Sequence, residues 1–199
     1  MIAPFALTAL FIALPGAALA HSPIEGVGLF YNGMVHPLIV PADLICLLAV
    51  GLLIGQHAPR VSRLALPAFA LALALGLLAG SEVAAPLFGT APLLAVVAAL
   101  GAAIALEVPF GPLLAALAFA AGLLVGLGSG EALGTMRESF LASAGVWLGA
   151  MVAVTLIGGL ATRLTRPWQR VGVRTVGSWL TAAAIVVLAL SLAAPGSSV

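Results

Sequence analysis

The chain has 199 residues, of which 63% are hydrophobic and only 7% charged. An ordinary soluble domain is about 45–50% apolar and about 25% charged, and a soluble fold of this size could not hide so much apolar surface. The seven cations are all Arg and the formal net charge is +1. That excludes a basic nucleic-acid-binding face, and the single cysteine, Cys46, excludes an internal disulfide or a cysteine-cluster zinc site. The composition implies an all-α, polytopic membrane helical bundle.

In chain order, residues 1–20 read as a signal peptide. Phe5 to Leu14 is an apolar run of signal length, too short to span a membrane; Pro15-Gly16 breaks it, and Ala18-Leu19-Ala20 is a small-residue cleavage site. Cleavage after Ala20 makes His21 the mature N-terminus. Retention would instead leave residues 1–20 as an N-terminal anchor. Residues 21–199 then form one domain of about six transmembrane helices.

The first span runs from about Pro41 to Gln56, with a start nearer Pro37 also compatible with the pattern. A polar loop from His57 to Arg63 follows, in which His57 is expected to be solvated. Span two covers about Leu64 to Gly80 and span three about Pro92 to Leu106. Glu107 marks an interfacial end before Pro109. Span four covers about Phe110 to Leu127, and a Gly-rich loop carries Gly128 to Glu138. Span five is about Leu141 to Ala161, and a basic loop from Arg163 to Arg174 leads to span six, about Val176 to Ala194. Gly122 and Gly126 form a Gly-x-x-x-Gly helix-packing pattern; with no P-loop Lys, phosphate binding is rejected.

Arginine predicts the orientation. Arg60 and Arg63 lie in one loop, and Arg163, Arg166, Arg170 and Arg174 in another, separated by four expected spans. An even number of spans puts both loops on one side, and positive loops stay cytoplasmic. Both mature termini are then outside, periplasmic if the membrane is a bacterial inner membrane, which agrees with the signal peptide.

Chemistry concentrates between His21 and Gln56, which hold two of the three His, Glu25, Asp43 and Cys46. Ionisable groups at membrane depth are costly and point to function. On a helix begun by Pro37, His36 and Asp43 would lie near one face. Imidazole and carboxylate together suit a divalent transition metal such as nickel, copper or zinc. The α-amino group and ring of a mature His21 can chelate one metal, with His36 and Asp43 completing the shell. The structural alternatives stand beside this reading. Asp43 suits a helix first turn, facing the positive helix end; His36, before Pro37, suits an extended segment; Cys46 suits core packing. No Ser-His-Asp set or two-histidine helical zinc motif is present, so an enzyme is not expected.

The chain resembles the HupE/UreJ family of bacterial membrane proteins. The resemblance rests on His21 after the cleavage site, Gly33, His36-Pro37-Leu38 and Ala49-Val50-Gly51-Leu52. It implies a small six-span protein linked to hydrogenase and urease maturation, acting as a nickel permease or metal accessory protein. The family has Asp-His where this chain has Ala42-Asp43. It also has a later His-Gly-x-x-His-Gly-x-Glu motif, which here reads Ala121-Gly122-Leu123-Leu124-Val125-Gly126-Leu127-Gly128, keeping the glycines without the ligands. Expected partners are the lipid bilayer and either a larger membrane complex or a second copy of the chain. The rival reading is a structural subunit of such a complex, without metal.

Overall fold

The structure is a computed structural model that describes residues 28–87, 90–130 and 135–193. The expected signal peptide and its cleavage site, His21, Glu25, Glu131 and the C-terminal tail lie outside these residues. The described residues form eight helices and no strands: α1 (Leu29–Ile39), α2 (Pro41–Gln56), α3 (Pro59–Ser62), α4 (Ala65–Leu87), α5 (Thr90–Ala105), α6 (Gly111–Ser129), α7 (Met136–Ala161) and α8 (Pro167–Ala193).

Proline punctuates the helices. Pro41 and Pro59 occupy the first turns of α2 and α3, where a missing N–H costs nothing. Thr135 and Glu138 close a reciprocal capping box on α7: the Thr135 hydroxyl accepts from the Glu138 backbone N–H at 3.2 Å, and Glu138 accepts from the Thr135 N–H at 2.9 Å. Pro41 also accounts for the sharpest feature of the fold. A residue before proline is pushed out of the helical region, and Val40 is extended at φ −74° and ψ 114°. The axis consequently turns by 76° between α1 and α2.

All six expected apolar segments are helical, but not all are equal as spans. Among the described residues, four helical stretches are long and apolar enough to cross a membrane: Pro59–Gly80, Gly111–Ser129, Met136–Ala161 and Pro167–Ser191. The bent α1–α2 pair makes a fifth if it crosses as one broken span. Helix α5 has 16 residues, about 24 Å at 1.5 Å per residue, short of a hydrocarbon core about 30 Å thick.

Helix α2 lies at the centre, packed against α7 and α5 and touching α1, α6 and α8. Its fully buried Leu47, Val50 and Leu53 join Phe69 and Leu73 of α4, Leu100 and Ile104 of α5 and Leu114 of α6 in one core. Large apolar side chains including Leu78, Leu156, Trp179 and Leu190 point outward, as lipid-facing helices allow.

Three helix pairs dominate the packing, α4 with α6, α5 with α8 and α1 with α7. In each, glycine brings backbone against backbone. A Cβ at Gly33 would collide with the Ala142 carbonyl, and one at Gly126 would strike the Leu73 carbonyl and lie 2.8 Å from the Leu77 nitrogen. One at Gly101 would sit 2.6 Å from the Gly177 carbonyl oxygen. The Gly122 and Gly126 pattern is thus a contact surface for α4. Side-chain hydrogen bonds to carbonyls reinforce the arrangement: Trp147 Nε1 donates to Ala70 at 3.0 Å, and Thr181 Oγ1 to Ala98 at 3.1 Å.

The end of α2 that leads into the Arg60/Arg63 loop and the segment from Arg163 to Arg174 lie at one end of the bundle. Gln56 at the close of α2, Glu107 after α5, Thr162 after α7 and Arg170 at the start of α8 line a common cavity. Arg174 Nε donates to the Ala105 carbonyl at 2.9 Å, satisfying an orphan acceptor at the end of α5. Asp43, 13 residues before Gln56 on α2, lies about 20 Å away along the helix axis.

Candidate functional site

Asp43 sits in the first turn of α2, immediately after the bend, and is only 5% exposed. The first-turn position suits an anion because unpaired backbone N–H groups point toward it. Burial is the less ordinary part, since a carboxylate out of water demands partners. Ser129, the last residue of α6 and also 5% exposed, donates its hydroxyl to Asp43 Oδ2 at 3.3 Å. The two residues are 86 positions apart in the chain, and this buried contact ties the break in the first span to the end of α6.

Cys46, one turn further along α2, is fully buried. It packs in the core, the structural alternative among its readings. His36 is partly buried and lies in the last turn of α1, on a helix and not in an extended segment. Because the chain bends between them, the seven-residue spacing of His36 and Asp43 does not give one continuous helical face. Among the described residues, no three His, Cys, Asp or Glu side chains gather as a metal-holding group. His21, the other expected histidine ligand, lies outside them.

Two placements differ from the sequence reading. The expected loop at Gly128 starts later: α6 continues through Ser129 and closes with the Gly130 N–H bonded to the Gly126 carbonyl at 2.9 Å. Ser129 lies three residues beyond Gly126, on the same face of α6. Continuing the glycine spacing of four reaches Gly130, so the pattern alone does not single out Ser129. His57, expected in solvent, instead turns back on α2. Its Nδ1 lies 2.8 Å from the Leu53 carbonyl oxygen, so that nitrogen carries the proton, and its Nε2 is buried. A helix end leaves carbonyls unsatisfied, and the imidazole fills one of them.

Two glycines of the resemblance motifs also acquire physical roles. Gly33 faces Ala142 of α7, and Gly51 faces Val154 and Ile157 of the same helix. Residues 8–188 match the family described as HupE / UreJ protein. The chain belongs to the HupE/UreJ family. Membership suggests a nickel-related accessory role in a membrane, and the apolar helices make this member a multi-pass membrane protein. Neither the curated proteins nor the solved structures include a match to it. Within the HupE/UreJ frame, Ala42-Asp43 stands where the family has Asp-His, so the carboxylate of this chain occupies the first turn one residue later. The stretch from Ala121 to Gly128 keeps the helix-packing glycines against α4.

Proposed function

We propose that this HupE/UreJ member is a bacterial inner-membrane protein that binds a divalent transition metal, nickel or a similar ion, at the periplasmic end of the bundle. His21 and His36 serve as ligands and Asp43 as the third donor. The observation that carries the reading is Asp43 itself, a buried carboxylate beside a broken span with one hydroxyl donor from α6. Broken membrane helices place backbone and ionisable groups at depth where ions bind. The signal peptide is removed after Ala20, the arginine loops are cytoplasmic, and both mature termini are periplasmic. The cavity shared by Gln56, just before the first arginine loop, and by Thr165 and Arg170 of the second supports placing both loops on one side, and positive loops stay cytoplasmic.

Binding is favoured over translocation. Leu47, Val50 and Leu53 fill the centre of α2 between Asp43 and Gln56, and all three are fully buried. A second reading, a structural subunit of a larger membrane complex, is favoured by the lack of a three-ligand cluster among the described residues. Metal analysis and calorimetry of the purified mature protein separate the two. The parent should bind Ni²⁺, Cu²⁺ or Zn²⁺. His36→Ala should weaken binding most, and Asp43→Asn should cost about 10–100-fold if it orients an imidazole ligand. Parent and variants that bind equally, or no binding above background, would replace the metal reading with the structural one.

A further inference from the structure

Ser129 has a role beyond packing, and its assignment rests on the metal function proposed above. The bond from its hydroxyl to Oδ2 is the one hydrogen bond that the Asp43 carboxylate accepts among the described residues. Asp43 has no ion-pair partner among them. A buried carboxylate is ordinarily paired with a charge or bound to a metal. One neutral hydroxyl therefore leaves Asp43 short of a cation while fixing where its oxygens lie.

The hydroxyl is carried on fixed backbone. Ser129 stands between Gly126 and Gly130, and both glycines bring α6 against α4. A Cβ at Gly126 would strike the Leu73 carbonyl, and one at Gly130 would lie 3.0 Å from Gly80 Cα and 3.1 Å from the Leu77 carbonyl oxygen. The carboxylate is equally constrained, because the next turn of α2 carries the fully buried Cys46 and Leu47. Side chains presented from rigid elements hold the narrow geometry that ion binding needs.

The bond occupies Oδ2, while Oδ1 accepts no hydrogen bond from the described residues. We propose that Ser129 is a positioning residue that makes Asp43 a one-oxygen donor, so that the site selects compact transition ions such as Ni²⁺ over larger, oxygen-seeking ions such as Mn²⁺. Large hard ions fill their coordination shells with many oxygens and take a carboxylate by both of its atoms where they can. Manganese suits carboxylate, carbonyl and water oxygen, whereas nickel suits imidazole. Holding Oδ2 away denies the larger ion its second oxygen and costs the smaller ion nothing. Partners that orient a ligating carboxylate in this way contribute to affinity without touching the metal.

The test is calorimetry of the purified mature chain in detergent, titrated with Ni²⁺ alone and with Mn²⁺ alone. Ser129→Ala should weaken Ni²⁺ binding about tenfold, the low end of the loss expected when an outer partner is removed. Mn²⁺ binding should hold or strengthen, so the preference for nickel falls by at least the same factor. A general loosening of the fold would weaken both ions together and leave the preference unchanged. Ser129→Thr, which returns the hydroxyl, should recover most of the loss. In an Asp43→Asn background Ser129→Ala should cost nothing further, because the hydroxyl acts only through the carboxylate. A parent that binds neither ion overturns this proposal and the metal function with it. A parent that binds Ni²⁺, with the same nickel preference in Ser129→Ala or the same loss in both backgrounds, overturns the role of Ser129 alone.

Discussion

Replacing Gly101 by Ala is expected to destabilise the protein far more than a single methyl group would suggest. The added Cβ would lie 2.6 Å from the Gly177 carbonyl oxygen, 2.6 Å from Thr181 Oγ1 and 2.8 Å from the Thr181 backbone nitrogen. Ordinary contact begins at 3.4 Å, so α5 and α8 must part by about 0.8 Å if neither bends. Two of the obstructing atoms are backbone and cannot rotate away. Separation of that size would stretch the Thr181 bond to Ala98, now 3.1 Å, beyond hydrogen-bond range. Overpacking costs typically 1–3 kcal/mol, and an interhelical side-chain hydrogen bond in a membrane adds about 0.6 kcal/mol. The expected loss is about 2–3 kcal/mol. Gly172→Ala on α8 is the control, because nothing lies within 4 Å of its added Cβ; higher helix propensity should leave it neutral or slightly stabilised. Gly177→Ala clashes across the same contact, with the Gly101 carbonyl oxygen at 2.7 Å. The double variant should therefore cost less than the sum of the singles, since one separation relieves both. Thermal unfolding in one detergent, with all four variants side by side, gives the comparison. If Gly101→Ala unfolds at the temperature of Gly172→Ala, the backbone contact between α5 and α8 is refuted.

Three further outcomes are expected. Metal binding by the mature protein should fall between about pH 7.5 and pH 5.5, because coordinating imidazoles and the terminal amine must shed protons; calorimetry showing constant affinity over that range would exclude histidine ligation. In intact cells, a membrane-impermeant thiol reagent should label Met136→Cys and spare Ala58→Cys; both native positions are exposed, and native Cys46 is fully buried. Strong labelling at position 58 would reverse the orientation. N-terminal sequencing should begin at His21, and recovery of Met1 would remove the terminal amine chelate.

The helical segments were readable because each is an apolar run closed by proline, glycine or arginine. Pro41 stands in the first turn of the helix the sequence opened there, and the glycines at 122 and 126 form the contact they predicted; the polar loop expected from His57 to Arg63 instead contains the short helix opened by Pro59. The bend was less visible, although its cause is local: Pro41 holds Val40 extended, and a reading by apolar length runs across that point. His57 returned to α2 because an unsatisfied helix carbonyl competes with water, a choice that composition does not reveal. In the candidate site, the sequence singled out Asp43 but not its partner. Ser129 is an ordinary hydroxyl at the end of a small-residue helix, and only three-dimensional packing brings it across 86 residues to a carboxylate.

The pairing of the helices has a consequence for biogenesis. Each main glycine-based partnership skips over intervening helices: α4 waits for α6, α1 for α7 and α5 for α8. Helix α5 is complete at Ala105, and its partner begins at Pro167, about 60 residues later. At a synthesis rate of about 5–20 residues per second, α5 passes several seconds before that partner emerges. Throughout that interval this 16-residue apolar helix must be held without the neighbour its glycine face is made for. The first clasp to close is α4 with α6, and the last is α5 with α8, whichever chaperone or lipid shields the open faces meanwhile. A chain that terminates after α7 would therefore be inserted but unfinished, with an orphaned helix as a recognition mark for membrane quality control.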